Sequence, residues 1–227
     1  MPLTPGVVHA TIARHFLSHG TAPSIAVLAE TLGVAVAVMA EALRALADDH
    51  GVVLHPVSGE IWAMHPFSAA PTAFWVESGG RGWWGNCAWC SLGIVALLRA
   101  DATITTSLGG ECTQVVLQVR DGAVTPAGYC VHFPIPMARA WDNVTYTCST
   151  MLVFASSSAV DAWCARHAMP RGDVQALDVV WAFAQAWYGR HLDPTWTKWT
   201  TEEARTLFDR FGFTGPTWAL PVTEERF

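Results

Sequence analysis

A twelve-residue stretch, Cys87 to Leu98, reads Cys-Ala-Trp-Cys-Ser-Leu-Gly-Ile-Val-Ala-Leu-Leu and leaves this chain little choice of architecture. It is long enough for three turns of helix, and a single serine hydroxyl interrupts its apolar and thiol side chains. A helix that is apolar all round has no face to offer water, so the rest of the chain must enclose it. Asn86, just ahead of it, is expected to act as its N-cap.

Composition supplies the material for such an enclosure. Of 227 residues, 52% are hydrophobic and 14% charged, which fits one large or two small globular domains and excludes a disordered or collagen-like chain. Lys and Arg total 13 against 19 Asp and Glu, a formal charge of −6 that opposes binding to phosphate backbones or anionic membranes over any extended surface. The first residues, Met-Pro-Leu-Thr-Pro-Gly, show no cationic leader, and no stretch reaches the ~20 apolar residues of a membrane span. The expectation is a soluble, cytoplasmic protein with no nucleic-acid or membrane partner. Six cysteines, Cys87, Cys90, Cys112, Cys130, Cys148 and Cys164, are too few for a disulfide scaffold and in a reducing compartment are thiols, metal ligands or nucleophiles. Twelve tryptophans against one lysine, Lys198, point to extensive aromatic packing and an apolar pocket.

Periodicity predicts helices over 7–19, 24–32 and 34–50, the last with Val38, Ala42, Leu43 and Leu46 on one face. Val52–Leu54 and Glu60–Met64 read as a hairpin, which gives a winged-helix outline. The third helix carries one Arg and three acids, the wrong chemistry for a groove-reading helix, so a structural helical domain is preferred over a DNA reader. Residues 66–85, rich in Pro, Gly, Ala and Ser, read as a linker. Beyond the apolar helix, strands are expected at 104–107, 112–120, 124–125, 129–135 and 146–155. Helices are expected at 158–167 and 174–191, and from Thr200, where Thr200 and Glu203 have capping-box spacing.

Few motifs carry chemistry. Gly80-Arg-Gly-Trp-Trp-Gly85 matches a dinucleotide fingerprint only formally, because tryptophans fill the turn that a pyrophosphate must approach. The nine histidines are scattered without paired metal spacing and read as surface or satisfied core residues. Cys87-Ala-Trp-Cys90 is the strongest signal: residues three apart share a helical face, and the first turn favours a thiolate. A redox dithiol, half of a zinc site, a soft-metal thiolate site and a pair of inert buried thiols all remain open at this point. Cys112, Cys130 and Cys164 read as small buried hydrophobes. Trp83, Trp84 and Trp89 flank the thiol pair and are candidate walls of a pocket for an organic group.

Three segments resemble the organomercurial (alkylmercury) lyase family: Asn-Cys-Ala-Trp-Cys-Ser-Leu-Gly-Ile at 86–94, Pro-Ala-Gly at 126–128, and Thr-Cys-Ser-Thr-Met-Leu-Val-Phe-Ala-Ser at 147–156. Asp161-Ala-Trp163, Ala186-Trp187-Tyr188 and Phe211-Gly-Phe-Thr-Gly215 extend the likeness, which runs from about residue 80 to the end. The resemblance implies an α+β fold. A winged-helix-like N-terminal domain would occupy 1–65 and a linker 66–85, with an alkylmercury-lyase-like domain of mainly antiparallel strands flanked by helices over 86–227.

It further implies cleavage of carbon–mercury bonds by two cysteines and an aspartate. The first cysteine corresponds to Cys87 and the second to Cys148, expected at the start of the strand ending in Phe-Ala-Ser. The family aspartate corresponds to Cys90, a departure at the site itself. Mercury is a soft Lewis acid that prefers thiolates, so Cys87 and Cys148 would capture the metal while an acid protonates the carbon. A thiol at position 90, with a reference pKa of ~8.5 against ~3.9 for Asp, is a weaker acid and a competing soft ligand. Three outcomes follow. Lyase activity persists with Cys90 as donor; or Cys87, Cys90 and Cys148 form a non-catalytic trithiolate site for mercury, copper, zinc or arsenic; or the scaffold serves another lyase reaction in secondary metabolism. No cofactor is expected for cleavage. The expected partners are a small organometallic substrate and small thiols or a metal-accepting protein, with detoxification as the role.

Overall fold

The computed structural model describes residues 2–221 and residue 227. Three helices open the chain: α1 (Pro5–His19), α2 (Ile25–Leu32) and α3 (Val36–Asp48). Thr4 and Ser24 cap the first two through their side chains, and Gly20 and Gly33 end them in the left-handed conformation. Val8, Ile12 and Phe16 of α1 pack with Met39, Leu43 and Leu46 of α3. The buried stripe of α3 thus runs through Met39, and Val38, expected on that face, is 45% exposed. A 100° step per residue places Val38 on the outer side of the Met39–Leu43–Leu46 stripe.

The strands β1 (Val53–Leu54) and β2 (Ile61–Met64) form the anticipated hairpin, and β2 pairs onward with β3 (Phe67–Ser68). Residues 66–85 are not a linker. They supply β3, β4 (Phe74–Ser78) and β5 (Arg81–Gly85), central strands of an eight-stranded antiparallel sheet completed by β6 (Ala102–Ser107), β7 (Gln114–Arg120) and β8 (Ala123–Thr125). The sheet order is β1-β2-β3-β5-β4-β6-β7-β8. Glycine and proline in this stretch serve the turns between strands, while Phe74, Val76 and Trp83 are buried. Composition alone does not separate turn-rich strands from a flexible connection.

Between β5 and β6 lies α4 (Ala88–Leu98), the apolar helix. One side packs on β3, β4 and β5 and the other on α7 (Leu177–Tyr188), so that nine of its residues are buried, including both termini of the Cys87-x-x-Cys90 turn's helical part. Close approach depends on two glycines. A Cβ at Gly85 would lie 2.9 Å from the Ser91 Cα, and one at Gly93 would lie 2.4 Å from Cδ2 of Tyr188. The buried Ser91 hydroxyl is satisfied by donating to the Ala88 carbonyl at 2.7 Å.

A second sheet, β10-β9-β11, joins β9 (Cys130–Phe133), β10 (Val153–Phe154) and β11 (Asp173–Ala176), all antiparallel. Here two expectations change. The segment around Tyr146–Ala155, expected as one strand, is the helix α5 (Val144–Thr150) followed by the short β10, because Asn143 caps the helix by accepting from the Tyr146 amide. The helix expected from Val174 begins only at Leu177, after β11. Helices α6 (Ser157–His167) and α8 (Thr201–Arg210) form as anticipated, α8 with a reciprocal Thr200–Glu203 capping box. Among the described residues no single helix is long and apolar enough to cross a membrane.

Candidate active site

The N-cap of α4 is Cys87 rather than Asn86: its thiol accepts from the Cys90 backbone amide at 3.2 Å. Asn86 has a different task. Its side-chain amide donates to the carbonyls of Pro66 at 3.2 Å and Phe67 at 2.8 Å, and its backbone amide donates to Pro66 at 3.3 Å, fixing the turn after β2 beside the head of α4. On the other side the Ala88 amide donates to the Met151 carbonyl at 3.1 Å, which brings the end of α5 to the same place. Three segments distant in sequence meet at one helix terminus through these backbone and amide contacts.

The side chains they carry converge. Cys87, Cys90 and Cys148 are buried and line one cavity. His65, set aside in the sequence as one of many scattered histidines, places its Nε2 3.3 Å from the Cys148 sulfur. The donor atoms of His65, Cys90 and Cys148 all lie within 4.8 Å of one another. Tyr188, from the end of α7, sits with its hydroxyl 3.4 Å from the Cys90 sulfur. No spacing rule links residue 65 or residue 188 to the Cys87-x-x-Cys90 turn; only the fold does.

Their charges follow from burial and mutual contact. Burial pushes the Cys87 thiol up, well above the ordinary thiol value. Cys148 is also held well above it, because it donates to Cys87 and Cys90 and is buried. Burial alone would raise Cys90 too. Hydrogen bonds from Cys148 and Cys87, the His65 ring and the Tyr188 hydroxyl outweigh that penalty and hold Cys90 well below the usual value. Of the three, the thiol that most readily ionises is the one at the third position of the helix, where the unpaired amides of the first turn also favour a thiolate.

A cavity of about 70 Å³ opens beside the thiols. Trp89, Trp141, Met151 and Trp187 give it apolar walls, and His9, His191 and Lys198 also reach it. Of the three candidate tryptophan walls, only Trp89 lines it. Trp83 is a core residue whose indole N–H donates to the Phe16 carbonyl at 2.7 Å, and Trp84 packs against Trp75 with ring centroids 4.6 Å apart. Both lie on β5, whose hydrogen-bonded neighbours hold them on the sheet. The remaining cysteines stay outside: Cys112 is exposed, while Cys130 and Cys164 donate to the carbonyls of Phe154 and Pro170.

The cavity volume limits what enters. It is less than half of the ~150 Å³ that holds a benzene ring, so a methyl or small alkyl group fits directly and an aryl group requires the aromatic walls to part.

Comparison with known proteins bears on the fold and the family. A mercury-bound MerB2 crystal structure is similar in fold, with a TM-score of 0.64 and 20% sequence identity, over 81% of this chain and 91% of that one. No curated protein matches. The family model described as alkylmercury lyase matches residues 67–189, more than half of the chain and the whole span from the turn after His65 to the residue after Tyr188. The chain belongs to the alkylmercury lyase family.

Proposed function

We propose that the protein cleaves the carbon–mercury bond of small organomercurials, with Cys87 and Cys148 capturing the metal and Cys90 carrying the proton. The observation that supports it most directly is that three buried thiols from two distant segments line one cavity, with Cys90 held low and Cys87 and Cys148 held high by burial and mutual contact. A catalyst that must first accept and then return a proton needs this division, and Cys90 stands in the position that the family gives to aspartate.

The substrate is R–Hg–SR′, an organomercurial carried by a small thiol. Cys87 passes its proton to the Cys90 thiolate, and the new thiolate displaces R′S⁻ from mercury. Cys148 gives its proton to R′S⁻, which leaves as R′SH, and the Cys148 sulfur becomes the second mercury ligand. Two thiolates raise the electron density on the mercury-bound carbon. Cys90 then delivers its proton to that carbon as the bond to mercury breaks, with the electron pair remaining on carbon. The products are RH and mercury held by Cys87 and Cys148, with Cys90 again a thiolate. Two small thiols, or a metal-accepting protein, restore both cysteines by exchange.

Incubation of the reduced protein with methylmercury and excess small thiol should release methane. Cys87→Ser and Cys148→Ser should each abolish release. A folded, reduced protein that binds methylmercury stoichiometrically and releases no methane would replace this reading with the second one, capture of a soft metal without cleavage by the same three cysteines. The close pairing of His65 with Cys148 is the observation that favours capture. Detoxification within a reducing compartment is the role consistent with either chemistry.

A further inference from the structure

We propose that His65, Cys90 and Cys148 form a zinc(II) site with one coordination position left open, with His65 as the ligand that separates zinc binding from mercury chemistry. Two sulfurs and one imidazole, with a fourth position open, are a known donor set for zinc. With bonds of about 2.3 Å to sulfur and 2.0–2.1 Å to nitrogen, tetrahedral zinc sets its donors roughly 3.5–3.8 Å apart. The His65 Nε2 to Cys148 sulfur distance is already 3.3 Å, and His65, Cys90 and Cys148 donors lie within 4.8 Å of one another. Shifts of about 1 Å, within reach of side-chain torsions, close the cage.

The surroundings suit a bound thiolate. The Tyr188 hydroxyl lies against the Cys90 sulfur at 3.4 Å, an outer contact of the kind that orients a metal ligand. The other sulfur–imidazole pair, Cys164 with His132 at 3.7 Å, lacks this donor set: the His132 Nε2 is 2.8 Å from the Arg171 carbonyl and the Cys164 thiol reaches the Pro170 carbonyl.

Zinc and mercury would use the site differently. Zinc takes all three donors, whereas two thiolates satisfy an organomercurial and leave His65 unused. Occupancy by zinc therefore protects the thiols and excludes the organic substrate until the zinc leaves. This last consequence rests on the proposed cleavage activity; the zinc site itself does not.

Reduced, metal-free protein titrated with zinc(II) against a chromophoric chelator should bind one ion per chain. X-ray absorption of the zinc-loaded protein should give two sulfur ligands and one protein nitrogen ligand. His65→Gln should weaken zinc binding by about a hundredfold or more, at least the loss known for outer-contact residues, while methylmercury still forms its adduct with the cysteines. Cobalt(II) gives a second readout on the unaltered protein, through thiolate-to-metal charge-transfer bands and the intense visible absorption of a tetrahedral site. Absence of a nitrogen ligand, an octahedral cobalt spectrum, or equal zinc affinity in folded His65→Gln and unaltered protein would overturn the site. Zinc should also suppress methane release, and a chelator should restore it. Release that is indifferent to stoichiometric zinc would overturn the exclusion. No release even from metal-free protein would instead count against the cleavage reading, with zinc stoichiometry and ligand identity still deciding the site.

Discussion

Acid should loosen the attachment of the first helix to the active-site cavity before it touches the thiols. His9 of α1 is buried, stacks on Trp196 with ring centroids 3.6 Å apart, and meets the ring of His191 edge-on at 5.1 Å. Burial lowers its pKa from 6.5 to about 3, against a smaller upward contribution from a hydrogen bond to the His191 backbone; Lys198 lowers it slightly further. Between those two values the unfolded chain binds a proton that the folded protein refuses. The contribution is therefore intact above 6.5 and is lost as the pH falls toward 3. At about pH 4.5, two units below the unfolded value, His9 alone should cost roughly 2.7 kcal/mol, at 1.36 kcal/mol per unit. That is a large share of a typical folding free energy of ~5–15 kcal/mol. His191, depressed by burial and by His9, adds in the same direction. Urea unfolding of the unaltered protein and His9→Phe at about pH 7.5 and 4.5 isolates the effect, since carboxylates common to both cancel. The unaltered protein should lose roughly 2.7 kcal/mol more than the variant over this interval. Parallel losses would refute the argument that a neutral, buried His9 couples folding to protons.

Two further substitutions test the packing around the site. Gly93→Ala drives a methyl to within 2.4 Å of the Tyr188 ring and should destabilise by about 1–3 kcal/mol in thermal or urea unfolding. Because Tyr188 helps hold the Cys90 thiolate, the same variant should move Cys90 alkylation to higher pH, and an unchanged alkylation profile would contradict that contact. Trp83→Phe removes the indole donor from the buried Phe16 carbonyl, which keeps the Gly20 amide, and should cost about 0.5–1.5 kcal/mol of stability. Methane release per folded molecule should not change, and a selective loss of turnover would return Trp83 to the pocket wall.

Local pattern determined much of this molecule. The apolar run from Cys87 to Leu98 required a buried helix, the Ser24 and Thr200 caps announced two others, and the motif from 86 to 94 with Cys148 pointed to the family that the comparison with the alkylmercury lyase model bears out. These features rest on the few residues adjoining each position, so the sequence displays them directly. Boundaries set by competing local preferences were harder to read. The glycines and prolines of 66–85 concealed three strands, and an Asn143 cap turned the expected Cys148 strand into a helix. The tertiary structure alone decided which side chains share the site. His65 reaches Cys148 because Asn86 ties the turn after β2 to the head of α4, and Tyr188 reaches Cys90 because Gly93 lets α7 approach. Such meetings depend on hydrogen bonds and packing between segments tens of residues apart, and no periodicity within either segment records them.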